Sequence, residues 1–300
     1  MKYDLIIVGM GPAGITAAIY AKRSGLNVLC LEKSMPGGLL NYIDNVDNFP
    51  GEINISGSDL AFKMFEQLKS LEVDYKTKTV ERIIIENDLK KVIISDDEYY
   101  YTKTVIIATG RSPKKLGLEN EKELYGKGIS TCAICDGALY KDKVVAVVGG
   151  GNSAISEAIY LSNICEKVYV IHRRDALRAD DKLVKCLDKK NNIEIIYNSN
   201  ITAIDKENDR IKSITINDKN KIDIACLFTY IGFVPMTSFV NTLNILDENG
   251  YILVDCNNET NIKGIFAVGD IVKKDIYQII TSCGEGAVAA INASKYIEGE

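Results

Sequence analysis

The chain has one histidine, no tryptophan and five prolines in 300 residues. A Ser-His-Asp or Cys-His hydrolase would have His172 as its only possible base, and a zinc site with several imidazole ligands cannot be assembled. Positive charge is also short, with 36 Lys and Arg against 41 Asp and Glu. That argues against a nucleic-acid binder and against a polybasic membrane-surface protein. Eight cysteines are too sparse for a disulfide scaffold, so they are buried fillers or a specific chemical device. No apolar run reaches the ~18 residues of a membrane span. Lys2 opens a mostly apolar stretch to about Ala21, but Asp4, Gly9, Gly11, Pro12 and Gly14 interrupt it where a signal peptide is smooth. The expectation is a cytoplasmic protein without membrane or nucleic-acid partners.

What is present is enough sequence for about two domains, and it reads as two copies of one plan. An apolar strand at 5–8 ends at Gly9, a helix follows at 15–23 with Gly25 as its stop, and a second strand lies at 28–31. Short strands at 81–86, 91–95 and 99–101 then lead into an apolar run at 105–110. The same events recur: a strand at 144–148 ending in Gly149, a helix at 154–162, and a strand at 168–171. Short strands at 201–204, 211–216 and 222–224 lead into 227–232. The first glycines of the two copies are 140 residues apart, a duplicated domain and not a solenoid. A last strand at 264–270 and a helix at 282–297 are expected to complete the first domain. The expected fold is α/β, two Rossmann-like domains with the second inserted into the first. The boundaries fall at 1–112, 113–238 and 239–300.

Gly9, Gly11, Pro12, Ala13 and Gly14 form a GxGxxG turn after a strand and before a helix, the context that makes this motif informative. Such a turn lets a pyrophosphate approach the backbone at a helix N-terminus. Glu32, 23 residues after Gly9, stands where a carboxylate binds a ribose hydroxyl. In the second copy, Gly149, Gly151, Asn152, Ser153 and Ala154 repeat the turn, with Ala in the third glycine's place. The same offset now falls on His172, followed by Arg173, Arg174 and, one helical turn on, Arg178. A cationic cluster there suits a 2′-phosphate, so this site reads as one for NADPH, with His172 as part of the cluster. The alternatives are a structural glycine turn and a solvated basic face.

Cys132-Ala133-Ile134-Cys135 lies between the two turns and precedes Asp136. Cysteines at i and i+3 on a first helical turn can close a disulfide or stabilise a thiolate. Half a zinc site is the other reading, but no second CxxC and no nearby His exist to complete it. The other six cysteines read as small buried hydrophobes. Exchange must return a proton to a leaving thiolate, and with no spare His the nearest candidate acid is Asp136. A helix-cap or turn role is its alternative. Hydride chemistry and disulfide chemistry are usually joined by a flavin, so the first site should hold FAD. The two domains are then an FAD-binding domain and an inserted NADPH-binding domain.

Gly9–Gly14, Gly37-Gly38, Asn48-Phe49-Pro50-Gly51, Ala108-Thr109-Gly110, Cys132–Asp136, Gly149–Ala154, His172-Arg173-Arg174 with Arg178-Ala179, and Gly269-Asp270 together resemble the low-molecular-weight, bacterial-type thioredoxin reductases. The resemblance spans essentially the whole chain. It implies a homodimeric FAD enzyme passing electrons from NADPH through FAD and the Cys132–Cys135 disulfide to thioredoxin or a similar small dithiol protein. It further implies that Gly37, Gly38, Asn48, Ala108, Thr109, Gly110, Gly269, Asp270 and Gln278 line the FAD. Cys135 then faces the flavin and Cys132 exchanges with thioredoxin, with 111–115 and 232–235 as hinges between domains. Two departures stand out. Leu39 replaces a usual Gln, and Tyr277 a usual Arg before Gln278. They keep a ferredoxin-dependent relative in view, although such an enzyme has no need of the arginines. A ferredoxin– or flavodoxin–NADP reductase of similar fold would not need the cysteines. The flavoprotein of an alkyl-hydroperoxide reductase needs a preceding thioredoxin-like region, for which the residues before Gly9 leave no room.

Overall fold

The computed structural model describes residues 3–43 and 46–299, except the side chain of Cys135. The chain forms two compact units, one made of residues 1–112 and 234–300, the other of 113–233.

Unit 1 begins with β1 (Leu5–Val8), α1 (Pro12–Arg23) and β2 (Val28–Glu32). Proline at the first helical position needs no N–H partner, and Gly25 at φ +80° closes the far end of α1. Next come α2 (Gly57–Ser70), β3 (Asp74–Thr77), an antiparallel meander of β4 (Arg82–Glu86), β5 (Leu89–Ser95) and β6 (Glu98–Thr102), then β7 (Thr104–Ile107). β8 (Arg111–Pro113) leads out of the unit.

Unit 2 contains α3 (Glu121–Leu124), β9 (Ile129–Ser130), α4 (Ala133–Asp136), β10 (Val144–Val148), α5 (Asn152–Ser162) and β11 (Lys167–Ile171). After α6 (Asp181–Leu187) and β12 (Ile193–Ile196) come a second meander, β13 (Ile201–Glu207), β14 (Arg210–Ile216) and β15 (Asn220–Asp223), and then β16 (Cys226–Thr229). The returning chain, β17 (Phe233–Pro235), pairs with β8 as a two-stranded ribbon. β18 (Ile265–Ala267) and α7 (Ile279–Glu298) finish unit 1.

Both units carry a five-stranded parallel sheet. The orders are β18-β7-β1-β2-β3 and β12-β11-β10-β16-β9. Read from opposite ends, they place β1 with β10, β2 with β11 and β7 with β16. The fifth position differs in origin, filled by β18 from the chain's end in unit 1 and by β9 from before the glycine turn in unit 2.

Central strands are buried on both faces, as parallel sheets require. Leu5 and Ile7 join the cluster under α1 and α7, while Ile6 and Val8 join the one beneath the first meander. Val145 and Val147 pack with α5, Ala146 and Val148 with the second meander. Gly286 lets α7 lie on α1, since a Cβ there would meet the Ala13 carbonyl at 2.3 Å.

The second unit boundary lies at 233/234, five residues before the expected 238/239. Met236 is the reason: its N–H donates to the Gly110 carbonyl (3.0 Å), and its carbonyl accepts from the Thr109 hydroxyl (2.9 Å), holding it in unit 1. Three helices, α2, α3 and α6, and the strands β3, β8, β9, β12 and β17 lie outside the elements expected from sequence. No helix among the described residues is long and apolar enough to cross a membrane.

Candidate functional site

The two glycine turns are built alike. Gly9 (φ +101°) and Gly149 (φ +152°) have no room for a Cβ, which would meet the Ala108 carbonyl at 2.4 Å and the Tyr230 carbonyl at 2.6 Å. At Gly11 and Gly151 a Cβ would meet nothing within 4 Å, so the backbone faces open space. These two glycines are the N-caps of α1 and α5, and neither helix start has a side-chain cap. Amides with no side-chain cap beside an open glycine are the donor set that a diphosphate takes.

Around the first turn, Glu32 ends β2 nearly buried, its carboxylate accepting from the Met10 N–H (2.7 Å) and the Ser34 N–H (3.1 Å). Each oxygen keeps acceptor capacity for a hydroxyl. Gly38 approaches the same turn, a Cβ on it lying 3.4 Å from the Gly11 Cα, and Gly37 packs where a Cβ would strike Ala61 and Asn41. Ala108, Thr109 and Gly110 follow β7 and are buried or half-buried beside Gly9. Asn48 donates to the Gln278 side-chain carbonyl (3.1 Å) at the start of α7.

Asp270, after β18, pairs with Arg111 Nε at 3.0 Å, and the Arg111 guanidinium lies 4.1 Å from the centre of the Tyr277 ring. The ring that replaces the family's usual arginine thus carries a guanidinium from another strand end. Leu39, the other departure, is half-buried in the turn after Gly38.

The second turn carries the opposite charge. Arg173, Arg174 and Arg178 follow β11 with exposed side chains, and none forms a salt bridge among the described residues. The Arg178 N–H donates to the Gly150 carbonyl (2.6 Å), which brings this segment onto the turn. Asn152 exchanges hydrogen bonds with Asp180 (3.0 and 2.8 Å), Ser153 is exposed, and Ala154 is buried.

His172 departs from its expected place in the cationic cluster. It is 3% exposed, its Nε2 is hydrogen bonded to the Ala176 carbonyl (3.0 Å), and its ring lies where a Cβ on Gly150 would come within 2.3 Å. Burial, and then the three arginines, push its pKa below the ordinary value, so it packs under the turn as a neutral ring.

The cysteine segment lies in unit 2, between β9 and β10. Cys132 is disulfide-bonded, and the six cysteines outside the CxxC motif are free thiols. The expected partner, Cys135, has a side chain outside the described residues. The Ser130 hydroxyl accepts the Cys132 N–H (3.0 Å) and donates to the Cys132 carbonyl (3.2 Å). The Ala133 N–H donates to the Tyr230 hydroxyl (2.7 Å).

Asp136 ends α4, half-buried, with its N–H on the Cys132 carbonyl (3.2 Å) and no side-chain cap bond. Its charge is felt by Tyr140 and Cys226, both pushed up chiefly by burial. Of the expected filler thiols, Cys30, Cys165 and Cys226 are buried and Cys283 half-buried. Cys186 and Cys256 are exposed, because each falls on a polar surface segment. No group of three or more His, Cys, Asp or Glu among the described residues is arranged to hold a metal ion.

Sequence reasoning missed Ser130, Arg111 and Tyr230. Only Tyr230 left a signal: the repeat aligns 105–110 with 227–232, so this tyrosine stands opposite Ala108.

A family model described as pyridine nucleotide-disulphide oxidoreductase matches residues 3–286. The curated thioredoxin reductase of Mycoplasma genitalium is 44% identical over 294 residues, 96% of this chain and 93% of the relative. That of Ureaplasma parvum is 42% identical, over 98% and 97%. The crystal structure of Lactococcus lactis thioredoxin reductase superposes with a TM-score of 0.86 at 40% identity, covering all of both chains. The glycine turns, the disulfide-bonded cysteine and these likenesses agree, and the chain belongs to the thioredoxin reductases of the pyridine nucleotide-disulphide oxidoreductase family.

Proposed function

We propose that this chain is an NADPH-dependent thioredoxin reductase whose unit 1 holds FAD, whose unit 2 takes NADPH, and whose Cys132–Cys135 disulfide is exchanged with thioredoxin. Bound together, NADPH and FAD supply an electron pair at a potential low enough to open a disulfide. In unit 1, Gly11 gives open backbone and Ala13 and Gly14 present amides to the FAD diphosphate at a helix start that Pro12 begins, and Glu32 accepts a ribose hydroxyl. Gly37, Gly38, Asn48, the stretch 108–110, Gly269, Asp270 and Gln278 line the rest. In unit 2, Gly149, Gly151, Asn152, Ser153 and Ala154 hold the NADPH diphosphate, while Arg173, Arg174 and Arg178 grip the 2′-phosphate. His172 supports the turn from beneath. Cys135 is the thiol that exchanges electrons with the flavin, the reduced Cys132 attacks the thioredoxin disulfide, and Asp136 returns the proton to the leaving thiolate.

The observation that carries this reading is three exposed guanidiniums, without an ion-pair partner among the described residues, at the glycine turn of the unit that contains the disulfide. An enzyme fed by ferredoxin has no use for them. In an anaerobic titration, one equivalent of NADPH is expected to bleach the flavin, and thioredoxin to be reduced in turn. Flavin that stays oxidised with NADPH but bleaches with reduced ferredoxin would overturn the donor assignment.

The assembly is a homodimer in the cytoplasm. Ile280, Val288 and Ile291 form an exposed apolar stripe along α7, suited to a second copy, and six free thiols suit a reducing compartment. A sedimentation mass near that of one 33.1 kDa chain would contradict the dimer.

A further inference from the structure

The duplication exposes a polar pair that only one unit possesses. Ala17 in α1 and Ala108 after β7 are buried and belong to one apolar cluster. At the corresponding places of unit 2 stand Glu157 in α5 and Tyr230 after β16. The correspondence is geometric as well as sequential, since the Ala108 and Tyr230 carbonyls crowd Gly9 and Gly149 in the same way. The Tyr230 hydroxyl accepts the Ala133 N–H at 2.7 Å, and the Glu157 carboxylate lies near enough for its charge to act on the phenol. Ala133 is the residue after Cys132, so the phenol, with the Glu157 charge acting on it, is joined through a backbone amide to the disulfide segment. The phenol lies far above its ordinary pKa, mainly through burial and then through the Glu157 charge, and stays a donor. Ser130 fixes the Cys132 amide and carbonyl from the other side.

We propose that Tyr230 and Glu157 are a positioning pair for the redox disulfide: Glu157 orients the Tyr230 hydroxyl, which holds the Ala133 amide in the disulfide-bonded arrangement and makes that disulfide harder to reduce. The pair is polar in unit 2 and alanine in unit 1 because only unit 2 has a redox segment to hold. The proposal rests on the reading of Cys132 and Cys135 as the redox pair.

The test is exchange with dithiothreitol, measured on the FAD-loaded enzyme without NADPH or thioredoxin. The Cys132 S–S bond opens to two thiols, and the reagent's two thiols give up two electrons and two protons as its ring closes. In Tyr230→Phe the ring remains and the hydroxyl goes. A hydrogen bond of ordinary net strength made only in the disulfide form predicts a shift toward the dithiol of about fivefold. Glu157→Gln keeps an acceptor for the hydroxyl but loses the charge, and should shift the constant the same way by less. Constants for both variants within twofold of the parent would overturn the proposal. So would a shift toward the disulfide in Tyr230→Phe. If NADPH fails to bleach the flavin, the donor assignment falls while this exchange constant still reads out the pair.

Discussion

At the end of its second strand, unit 1 carries the Glu32 carboxylate, whereas unit 2 carries a buried imidazole followed by three exposed guanidiniums. The turns preceding them are nearly superimposable in logic: a first glycine at positive φ against a carbonyl, a second facing open space, and a helix start with no side-chain cap. The backbone therefore decides that a diphosphate can approach, and one strand-end position decides what lies beyond it. A carboxylate accepts hydroxyls and repels phosphate; guanidiniums do the reverse.

The sharpest way to break this comparison is to erase the charge of unit 2. A charge-assisted hydrogen bond is worth about 1.5–3 kcal/mol, and solvent screening cuts this to about 1 kcal/mol for each of the three exposed arginines. In Arg173→Ala/Arg174→Ala/Arg178→Ala the KM for NADPH should rise on the order of 100-fold, with KM for NADH almost unchanged. Steady-state kinetics with both nucleotides check this. An equal loss for the two would mean that the arginines are a solvated face and the comparison is void.

A smaller effect separates the turn's two jobs. At Gly150 an added Cβ runs into the His172 ring at 2.3 Å, so Gly150→Ala should destabilise the fold by about 1–3 kcal/mol of overpacking. At Gly11 and Gly151 the added methyl has open space. Gly11→Ala and Gly151→Ala should therefore melt within a degree or two of the parent apoprotein, yet retain FAD and bind NADPH less well, respectively. Thermal melts with flavin content and NADPH titration distinguish these outcomes. A large loss of apoprotein stability in either would show that these glycines serve folding and not the ligand.

The turns, their flanking strands and the duplication were legible because they are local: β-branched runs, glycines at fixed offsets and a 140-residue repeat. The meanders were legible for the same reason. α2 was not, although Ser56 caps it by accepting the Asp59 N–H at 3.0 Å. Its apolar positions are scattered among Lys, Glu and Gln, and its burial against unit 1 comes from distant segments. Arg111 was read only as a hinge residue, because its partners Asp270 and Tyr277 are some 160 residues away. The glycine offset likewise located His172 but could not tell a ring pointing outward from one turned under Gly150. That distinction is tertiary, made by the Gly150 turn that covers the ring, with the Ala176 carbonyl four residues on as a local anchor.

His172 gives the finest probe of the comparison, since a chain with one histidine has one imidazole signal. Burial and the arginines lower its pKa from 6.5 in the folded state. The neutral form is the one the fold prefers, so its contribution to stability is present above pH 6.5 and is lost as pH falls through that value toward the folded pKa. An NMR titration should place the midpoint below 6.5. Adding 2′-AMP should then raise it, because a dianion gripped by the arginines cancels part of their repulsion of the imidazolium. 5′-AMP, lacking the 2′-phosphate, should move it less. A midpoint above 6.5, or no response to either nucleotide, would put the imidazole back in solvent and detach it from the phosphate site. The neutral ring beneath Gly150 would then have no part in distinguishing the turn that meets guanidiniums from the one that meets a carboxylate.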